Sequence, residues 1–351
     1  MNFDLEKLVR PNILGLKPYS SARSEFTGAA TVFLDANENA FTSPGGAGFN
    51  RYPDPLQNDL KQKISSLSEA DPKQIFIGNG SDEAIDLLFR IFCEPGADEV
   101  IVCPPTYGMY RVSADINNVR VVEVPLTSDY QLNVSAILKS VAPNTRLIFV
   151  CSPNNPTGDL MRREDIVQIA REVNGLVVVD EAYIHFAEAK SIINELENLP
   201  NLVVLQTFSK AWGMAGLRVG MAFASEAIIG LMNRVKPPYN ISGIAQLAVT
   251  KALDSEYEIG RWIIVMKTER KRLIESLAKF AFVETIYPTD SNFVLVRVRD
   301  AEGIYSHLVD AGIVVRNRSQ VQLCEGCLRI TIGTASENLL LLAELRNYQA
   351  A

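Results

Sequence analysis

The chain has 351 residues and a formal net charge of −7, with 47% hydrophobic and 21% charged residues. This length predicts about two domains, each large enough for its own core. The acidic balance argues against a general nucleic-acid surface, which needs clustered Lys and Arg. The N-terminal residues lack the apolar core of a signal peptide, and no run of around 18 apolar residues predicts a membrane span. Together these features predict a cytoplasmic protein that binds neither nucleic acid nor membrane.

Five cysteines and two histidines limit the metal chemistry that the chain can support. Cys324 and Cys327 have the spacing of half a zinc site, but no second Cys pair or Cys/His cluster completes it. Reduced thiols in or beside strands are the favoured interpretation. His185 and His307 are too few for a poly-His centre, so the sequence predicts no metal site.

The first 50 residues are rich in Pro, Gly and Asn, and we expect them to pack on a small domain or a partner subunit. A large domain is predicted over 51–245, where short runs of Val, Ile and Leu alternate with helical patterns. The runs are nearly continuous, as strands buried on both faces are. The pattern predicts an α/β fold with a mainly parallel, seven-stranded sheet flanked by helices. The seven runs are 74–78, 99–103, 120–124, 147–151, 176–180, 202–206 and 219–224.

The pattern changes after Pro237-Pro238, where long helical stretches come first and short strands follow. This order predicts a smaller α+β domain over 246–351, joined to the large domain through a long helix. The predicted helices are 243–254, 256–280, 301–311 and 335–349, and the predicted strands are 282–287, 292–298, 313–316 and 327–332.

Polar residues follow the first strands of the predicted sheet. In a parallel α/β sheet, ligands bind beyond the carboxyl ends of the strands. Ser81 and Asp82 open a helix after 74–78, where Ser81 is a good N-cap and free N–H groups favour a phosphate. Tyr107 follows the second run and Asn155 the fourth. A plain helix cap and an Asn-Pro-Gly turn are the structural alternatives.

Asp180 closes the fifth run, and Tyr183 follows three residues later. A carboxylate at the end of such an apolar strand is costly to desolvate unless it is paired, although a capping role is an equal alternative. Lys210 follows the sixth run, in TFSKAWGMAGLRVG, and three interpretations compete for it: a surface charge, a phosphate-binding lysine or a lysine used in covalent chemistry. No Walker-type glycine pattern supports the second.

Considered together, these strand ends supply an anion-binding helix start, an aromatic ring, an amide, a carboxylate and a lysine. A flat, phosphorylated pyridine aldehyde needs this set of groups. The motifs SPNNPTG, VVVDEAY, TFSKAWGMAGLRVG and CLRITIG, in this order, resemble those of fold-type I pyridoxal-phosphate aminotransferases over nearly the whole chain. LDANENAF, RYPDP and GNGSDEAIDLL are most similar to the histidinol-phosphate aminotransferases within that superfamily.

The resemblance implies three catalytic residues. Lys210 matches the Schiff-base lysine, Asp180 the carboxylate on the pyridine nitrogen, and Tyr183 a donor to the ring's phenolic oxygen. It further implies a set of cofactor-binding residues, with Tyr52 reaching the cofactor of the other subunit, so that a complete site needs a homodimer. The remaining cofactor residues implied are Ser81, Asp82, Tyr107, Asn155, Thr207, Ser209 and Arg218.

The substrate site that the resemblance implies contains Arg329, aided by Arg316, Tyr19 and Asn37. A bidentate guanidinium suits the phosphate of histidinol phosphate and the carboxylate of glutamate alike. For Arg316, in the charged segment RNRSQ, an ordinary surface charge is the alternative.

The implied reaction is transamination between histidinol phosphate and 2-oxoglutarate in histidine biosynthesis. Four alternatives stay open at this point: a phosphothreonine decarboxylase, an aromatic or broad-range aminotransferase, a pyridoxal-phosphate-binding regulator, and a nucleotide-binding α/β protein. An added DNA-binding segment would favour the regulator, and a complete phosphate-loop motif would favour the nucleotide-binding protein. Neither feature is found in the sequence.

Overall fold

The seven apolar runs form the seven strands of one large sheet in the computed structural model, which describes residues 3–19, 31–46 and 48–350. Each strand lies where the sequence predicts it, to within two residues at either end. The strands are β1 (Ile75–Asn79), β2 (Glu99–Val102), β3 (Arg120–Glu123), β4 (Thr145–Cys151), β5 (Leu176–Asp180), β6 (Leu202–Thr207) and β7 (Val219–Ala224).

The strand order is β1-β7-β6-β5-β4-β2-β3, and the five strands from β3 to β6 pair in parallel. Only β7 runs antiparallel to both of its neighbours, β6 and β1. The sheet is therefore mainly parallel, as predicted. Because parallel strands end at the same edge, the loops after β2, β4, β5 and β6 all begin there.

Successive residues of the central strands point into two separate apolar clusters, one on each face of the sheet. In β5, Val177 and Val179 belong to one cluster, whereas Leu176 and Val178 belong to the other. This burial on both faces explains the uninterrupted Val and Leu run. The helices that precede, connect or follow these strands are α1 (Leu5–Leu8), α2 (Pro11–Leu14), α3 (Asn58–Ser68), α4 (Gly80–Phe92), α5 (Met109–Ile116), α6 (Val134–Ser140), α7 (Arg163–Glu172) and α8 (Glu226–Val235).

The C-terminal part contains a second, four-stranded sheet with its own apolar cluster. All neighbouring strands are antiparallel, in the order β10-β11-β9-β8. The helices are α9 (Gly243–Leu253), α10 (Glu256–Leu277), α11 (Ala301–Asp310) and α12 (Ala335–Ala350). The strands are β8 (Val283–Ile286), β9 (Phe293–Val298), β10 (Arg316–Asn317) and β11 (Cys327–Thr331).

The predicted domain boundaries stay predictions, because the packing crosses them. Leu8, Val9 and Ile13 are buried in a cluster of the large sheet. Ile259, at the start of α10, is buried in the other large-sheet cluster, whereas Leu273 near its end belongs to the small sheet. Residues 20–30 of the N-terminal segment lie outside the described residues.

Among the described residues, no helix is both long enough and apolar enough to cross a bilayer.

The turn between β1 and α4 depends on a glycine of β7. A Cβ atom added to Gly220 would lie 2.3 Å from the Ser81 backbone nitrogen and 2.4 Å from the Gly80 carbonyl carbon. We expect Gly220→Ala to lower the free energy of unfolding by at least about 2 kcal/mol, because backbone atoms cannot yield as a side chain can. Urea unfolding measures this change. The matched control is Gly230→Ala in α8, where no atom lies within 4 Å; an equal loss in the control would contradict the steric argument.

Candidate active site

A cavity of about 610 Å³ lies at the carboxyl edge of the large sheet, closed on one side by β10 and β11. It brings together most of the residues that the sequence singled out. Those that line it are Ser81, Asp82, Tyr107, Asn155, Asp180, Tyr183, Thr207, Ser209, Lys210, Arg218, Arg316 and Arg329.

One end of the cavity is suited to an anion. The N-terminus of α4 opens onto it, so the free N–H groups of the first helical turn face the same space. Arg218 donates to Asp82 at 3.1 Å and to the hydroxyl of Ser209 at 3.5 Å. Its backbone is left-handed, with φ 55°, and the Thr207 hydroxyl accepts from the Ser209 N–H at 3.0 Å.

Ser81 is not the N-cap residue that we predicted. The helix begins at Gly80, and the N-cap position is Asn79. The carboxylate of Glu83 takes up the Asn79 N–H instead, and Gly80 adopts a positive φ of 73° that favours glycine. Ser81 therefore lies within the first turn and lines the cavity.

Asp180 is the buried charge at the centre of the cavity floor. Burial raises the pKa of its carboxyl group to about 6, although hydrogen bonds from protein groups oppose that rise. The Tyr110 hydroxyl donates to Oδ2 at 2.8 Å, and the Ala182 N–H donates to Oδ1 at 3.1 Å. The sequence analysis missed Tyr110, since the helix that carries it has no motif that points to Asp180.

Tyr107 stands beside the anion-binding end. Its hydroxyl donates to Asp82 at 3.1 Å. Burial, and then the negative charge of Asp82, raise the pKa of the phenol above its usual value, so the group remains a donor at neutral pH. The ring is therefore held at the cavity wall with its hydroxyl engaged.

Lys210 extends into the cavity from the loop after β6, with its Nζ 5.5 Å from the centre of the Tyr183 ring. Burial, followed by the positive charge of Arg329, lowers the pKa of this lysine. The surface-charge alternative does not fit a lysine that lines the cavity among these partners. A lowered pKa raises the fraction of neutral amine, which is the reactive form.

Asn155, Tyr183 and Arg329 form a polar cluster opposite the anion-binding end. Arg329 donates to the Asn155 amide oxygen, and the Asn155 amide donates to the Tyr183 hydroxyl at 3.5 Å. The Tyr183 ring packs edge-on against Phe293, over which the Arg329 guanidinium also lies at 5.1 Å. Burial raises the pKa of Tyr183, which therefore stays protonated.

Three arginines from the small sheet face the cavity: Arg316, Arg318 and Arg329. Arg316 pairs directly across from Arg329 in the β10–β11 ladder. Burial and the neighbouring guanidinium groups lower the pKa of Arg318 and of Arg329, and the Nε of each is buried without a hydrogen-bond partner among the described residues. Arg318 was not predicted, although its two-residue spacing from Arg316 was a usable signal.

Three predicted residues lie away from the cavity lining. Tyr52 is 50% exposed and stacks on Tyr239, with 4.5 Å between ring centres. Tyr19 and Asn37 are exposed at the surface. The role of Tyr52 toward the cofactor of the other subunit stays a prediction, and so do the roles of Tyr19 and Asn37 in substrate binding.

The remaining residues in question contribute nothing to this cavity. Cys324 and Cys327 are buried free thiols, and no group of three or more metal-binding side chains occurs among the described residues. His185 lines a different cavity, beneath Trp212, and burial lowers its pKa.

Comparison with known proteins agrees with this geometry. The family described as aminotransferase class I and II matches residues 32–345. The histidinol-phosphate aminotransferase of Bacteroides thetaiotaomicron is 54% identical, over 98% of this chain and 99% of its own length. This chain belongs to the histidinol-phosphate aminotransferase family. It is therefore a transaminase by family, and the resemblance inferred from the motifs is confirmed.

Solved structures of the family share the fold. The histidinol-phosphate aminotransferase of Clostridium acetobutylicum superposes with a TM-score of 0.80 at 25% identity, covering 86% of this chain and 91% of that chain. The enzyme of Sinorhizobium meliloti, solved in complex with pyridoxal-5'-phosphate, gives a TM-score of 0.79 at 27% identity, over 86% and 83% of the two chains. The expected fold-type I architecture is confirmed.

Because the guanidinium groups of Arg318 and Arg329 repel each other, replacing Arg329 should cost little stability in the absence of an anion. Arg329→Gln removes a repulsion with Arg318, so in a phosphate-free buffer we expect its free energy of unfolding to stay within about 1 kcal/mol of wild type. Inorganic phosphate at ten times its dissociation constant stabilises a binding protein by about 1.4 kcal/mol, and the variant should gain less than the wild type. Urea unfolding with and without phosphate tests both points. The control is Arg171→Gln, at an exposed position of α7. If phosphate stabilises Arg329→Gln as much as it stabilises this control, Arg329 is not part of an anion site.

Proposed function

We propose that the chain converts L-histidinol phosphate and 2-oxoglutarate into imidazole acetol phosphate and L-glutamate, a step of histidine biosynthesis, with pyridoxal phosphate as cofactor. The observation that carries this proposal is one cavity holding a lysine, a buried carboxylate, an anion-binding helix start and three arginines. The membership in the histidinol-phosphate aminotransferase family supports the choice of substrate.

The residues present fit pyridoxal phosphate. The α4 N-terminus, with Arg218, Ser209 and Thr207, offers donors and positive charge for the phosphate. Asp180 offers a buried carboxylate for the ring nitrogen, and Tyr107 offers an aromatic face. A side chain at Gly80 would meet the Arg218 guanidinium at 2.9 Å, so the backbone there is kept bare at the phosphate end.

When bound, pyridoxal phosphate supplies an aldehyde carbon that reacts with amines and a ring that withdraws electrons from the substrate carbon. Lys210 Nζ would bond to that aldehyde at rest. As a free amine, Lys210 would take the proton from the amine-bearing carbon of the substrate and would deliver a proton to the carbon that comes from the aldehyde. Its lowered pKa suits this work as a general base.

Asp180 and Tyr183 hold charge and protons in place around the lysine. The Asp180 carboxylate would keep the ring nitrogen protonated, an electrostatic effect that burial strengthens. The Tyr183 hydroxyl, kept protonated by burial, would donate a hydrogen bond to the phenolic oxygen of the ring together with the Asn155 amide. These groups are in position before the reaction begins and need not move during it.

The arginines determine the substrate class. Arg316, Arg318 and Arg329 place three positive charges at the cavity wall, and neither Arg318 nor Arg329 has a carboxylate among the described groups that shift its pKa. A phosphate dianion or the carboxylates of glutamate would supply the missing negative charge. Histidinol phosphate and glutamate each carry one of these groups.

The alternative functions are not favoured. The relatives at about 50% identity over nearly the full length are histidinol-phosphate aminotransferases, whereas two decarboxylases among the similar solved structures are 22% and 25% identical. The regulator would need an added binding segment and the nucleotide-binding protein a phosphate loop, and the sequence shows neither. Cytoplasmic location stays a prediction.

Two substrate mixtures test the proposed function. With histidinol phosphate and 2-oxoglutarate we expect glutamate to form, whereas with threonine phosphate alone we expect no carbon dioxide. Lys210→Ala should lower glutamate formation by at least about 10³-fold, because the general base and the covalent link are lost together. Lys139→Ala, at an exposed position of α6, is the control and should keep wild-type activity. Carbon dioxide in the second mixture without glutamate in the first would overturn the proposal.

We further propose a homodimer in which Tyr52 completes the site of the partner subunit. Half of the Tyr52 ring surface is exposed, and it lies on a segment outside its own cavity. An exposed apolar surface on α10, with Tyr257 82%, Ile264 65% and Val265 59% accessible, supports burial against a second copy. The described residues of one chain leave this surface exposed, and a symmetric dimer would bury it on both copies.

Hybrid dimers test the shared site. A dimer of one Lys210→Ala subunit and one Tyr52→Ala subunit contains one intact site, if Tyr52 acts across the interface. We expect such a hybrid, purified through two different affinity tags, to recover about half of the wild-type activity, above either parent homodimer. Glutamate formation at a limiting cofactor concentration provides the measurement. Hybrid activity no greater than the mean of the two parents would refute the exchange of Tyr52.

A further inference from the structure

Tyr110 lies directly behind Asp180 and has no place in the reaction described so far. Its side chain is 0% exposed, and its hydroxyl donates to Asp180 Oδ2 at 2.8 Å. The ring stacks on Phe149, with 4.7 Å between centres and 14° between planes, and it meets Tyr107 edge-on at 5.6 Å. These ring contacts fix the hydroxyl beside the Asp180 carboxylate, to which it donates, and beside the Cys151 thiol.

Asp180 lines the cavity and Tyr110 does not, so the hydroxyl approaches the carboxylate from the protein side. The Ala182 N–H occupies the other oxygen from the backbone, at 3.1 Å. Each carboxylate oxygen thus accepts one bond from the protein and keeps lone-pair capacity for a ligand. With both oxygens held, the plane of the carboxylate is set before any cofactor binds.

We propose that Tyr110 is a positioning residue that keeps the Asp180 carboxylate charged and oriented for the ring nitrogen of pyridoxal phosphate. This inference rests on the proposed function. Tyr110 acts through Asp180 and touches no substrate atom.

The hydrogen bond from Tyr110 favours the charged form of Asp180. Burial raises the pKa of Asp180 to about 6, and the hydrogen bond from Tyr110 is the largest influence that lowers it. Burial also raises the pKa of Tyr110 well above its ordinary value, so the phenol remains a donor across neutral pH. Removing the hydroxyl should raise the pKa of Asp180 further, by about one pH unit.

The other titratable groups around Asp180 are the same in the wild type and in Tyr110→Phe, so they do not account for a difference in affinity between the two. Burial raises the pKa of each of the neighbouring thiol and phenol groups, which are neutral between pH 6 and 8. The negative Asp82 and the positive Lys210 act in opposite directions on Asp180. The titratable groups that act on it from the surrounding elements are Asp82, Tyr107, Cys151, Tyr183 and Lys210.

The test is the affinity of the full-length chain for pyridoxal phosphate in Tyr110→Phe, measured by tryptophan fluorescence after removal of cofactor. If the pKa of Asp180 rises by about one unit, the carboxylate fraction at pH 6 falls from about one half to about one tenth. The dissociation constant should therefore rise about fivefold at pH 6 and by less than about twofold at pH 8. The loss grows as pH falls, because only the carboxylate pairs with the ring nitrogen.

Two controls separate positioning from a loss of packing. Tyr130→Phe removes another buried tyrosine hydroxyl, which donates to the Leu323 carbonyl at 2.6 Å, and should leave the affinity unchanged at both pH values. In an Asp180→Asn background, adding Tyr110→Phe should change the dissociation constant by less than about twofold at pH 6, since no carboxylate remains to be stabilised.

The outcomes distinguish this inference from the proposed function. If the wild type binds no pyridoxal phosphate, the proposed function fails. If the wild type binds it and Tyr110→Phe binds equally well at pH 6, only the role of Tyr110 is overturned. An equal loss at pH 6 and pH 8 overturns it too, because loosened packing does not depend on the Asp180 charge. A loss confined to low pH, absent from the Asp180→Asn background, supports it.

Discussion

The burial of the Asp180 carboxylate is the constraint on which the rest of the site depends. A negative charge at the end of a strand that is apolar on both faces is unstable unless donors or cations surround it. Tyr110 and the Ala182 N–H supply two donors, and Lys210 supplies a nearby positive charge. The side of the Asp180 carboxylate that faces the cavity is suited to a further positive group, such as a protonated pyridine ring.

Parallel strand order puts these groups in one place. β4, β5 and β6 are neighbours in the sheet, and the loops that follow them carry Asn155, Asp180 and Lys210 to the same edge. The small sheet contributes what this edge lacks, since Arg316 and Arg329 face the cavity from paired strands. The anion-binding end and the arginine-lined wall of the cavity therefore come from different sheets.

Much of this arrangement could be predicted from the sequence, because continuous Val and Ile runs locate buried strands and polar residues at their ends locate the edge. The contacts between distant elements could not. Tyr110 reaches Asp180 because α5 packs on α4, β2 and β3 and the Tyr110 ring stacks on Phe149 of β4, and no periodicity encodes those contacts. Asn79 rather than Ser81 is the N-cap because the helix already begins at Gly80, and the Glu83 carboxylate accepts the Asn79 N–H. The proposed role of Tyr52 requires a second subunit, which one chain does not contain.

The central claim is that Lys210 forms the bond to the cofactor. The most direct measurement is to incubate the protein with pyridoxal phosphate, reduce it with borohydride, digest it and locate the modified lysine by mass spectrometry. A single phosphopyridoxyl group on Lys210 is the predicted result. Modification of the buried lysines Lys61 and Lys236 would contradict this assignment. Modification of several surface lysines without Lys210 would contradict it too.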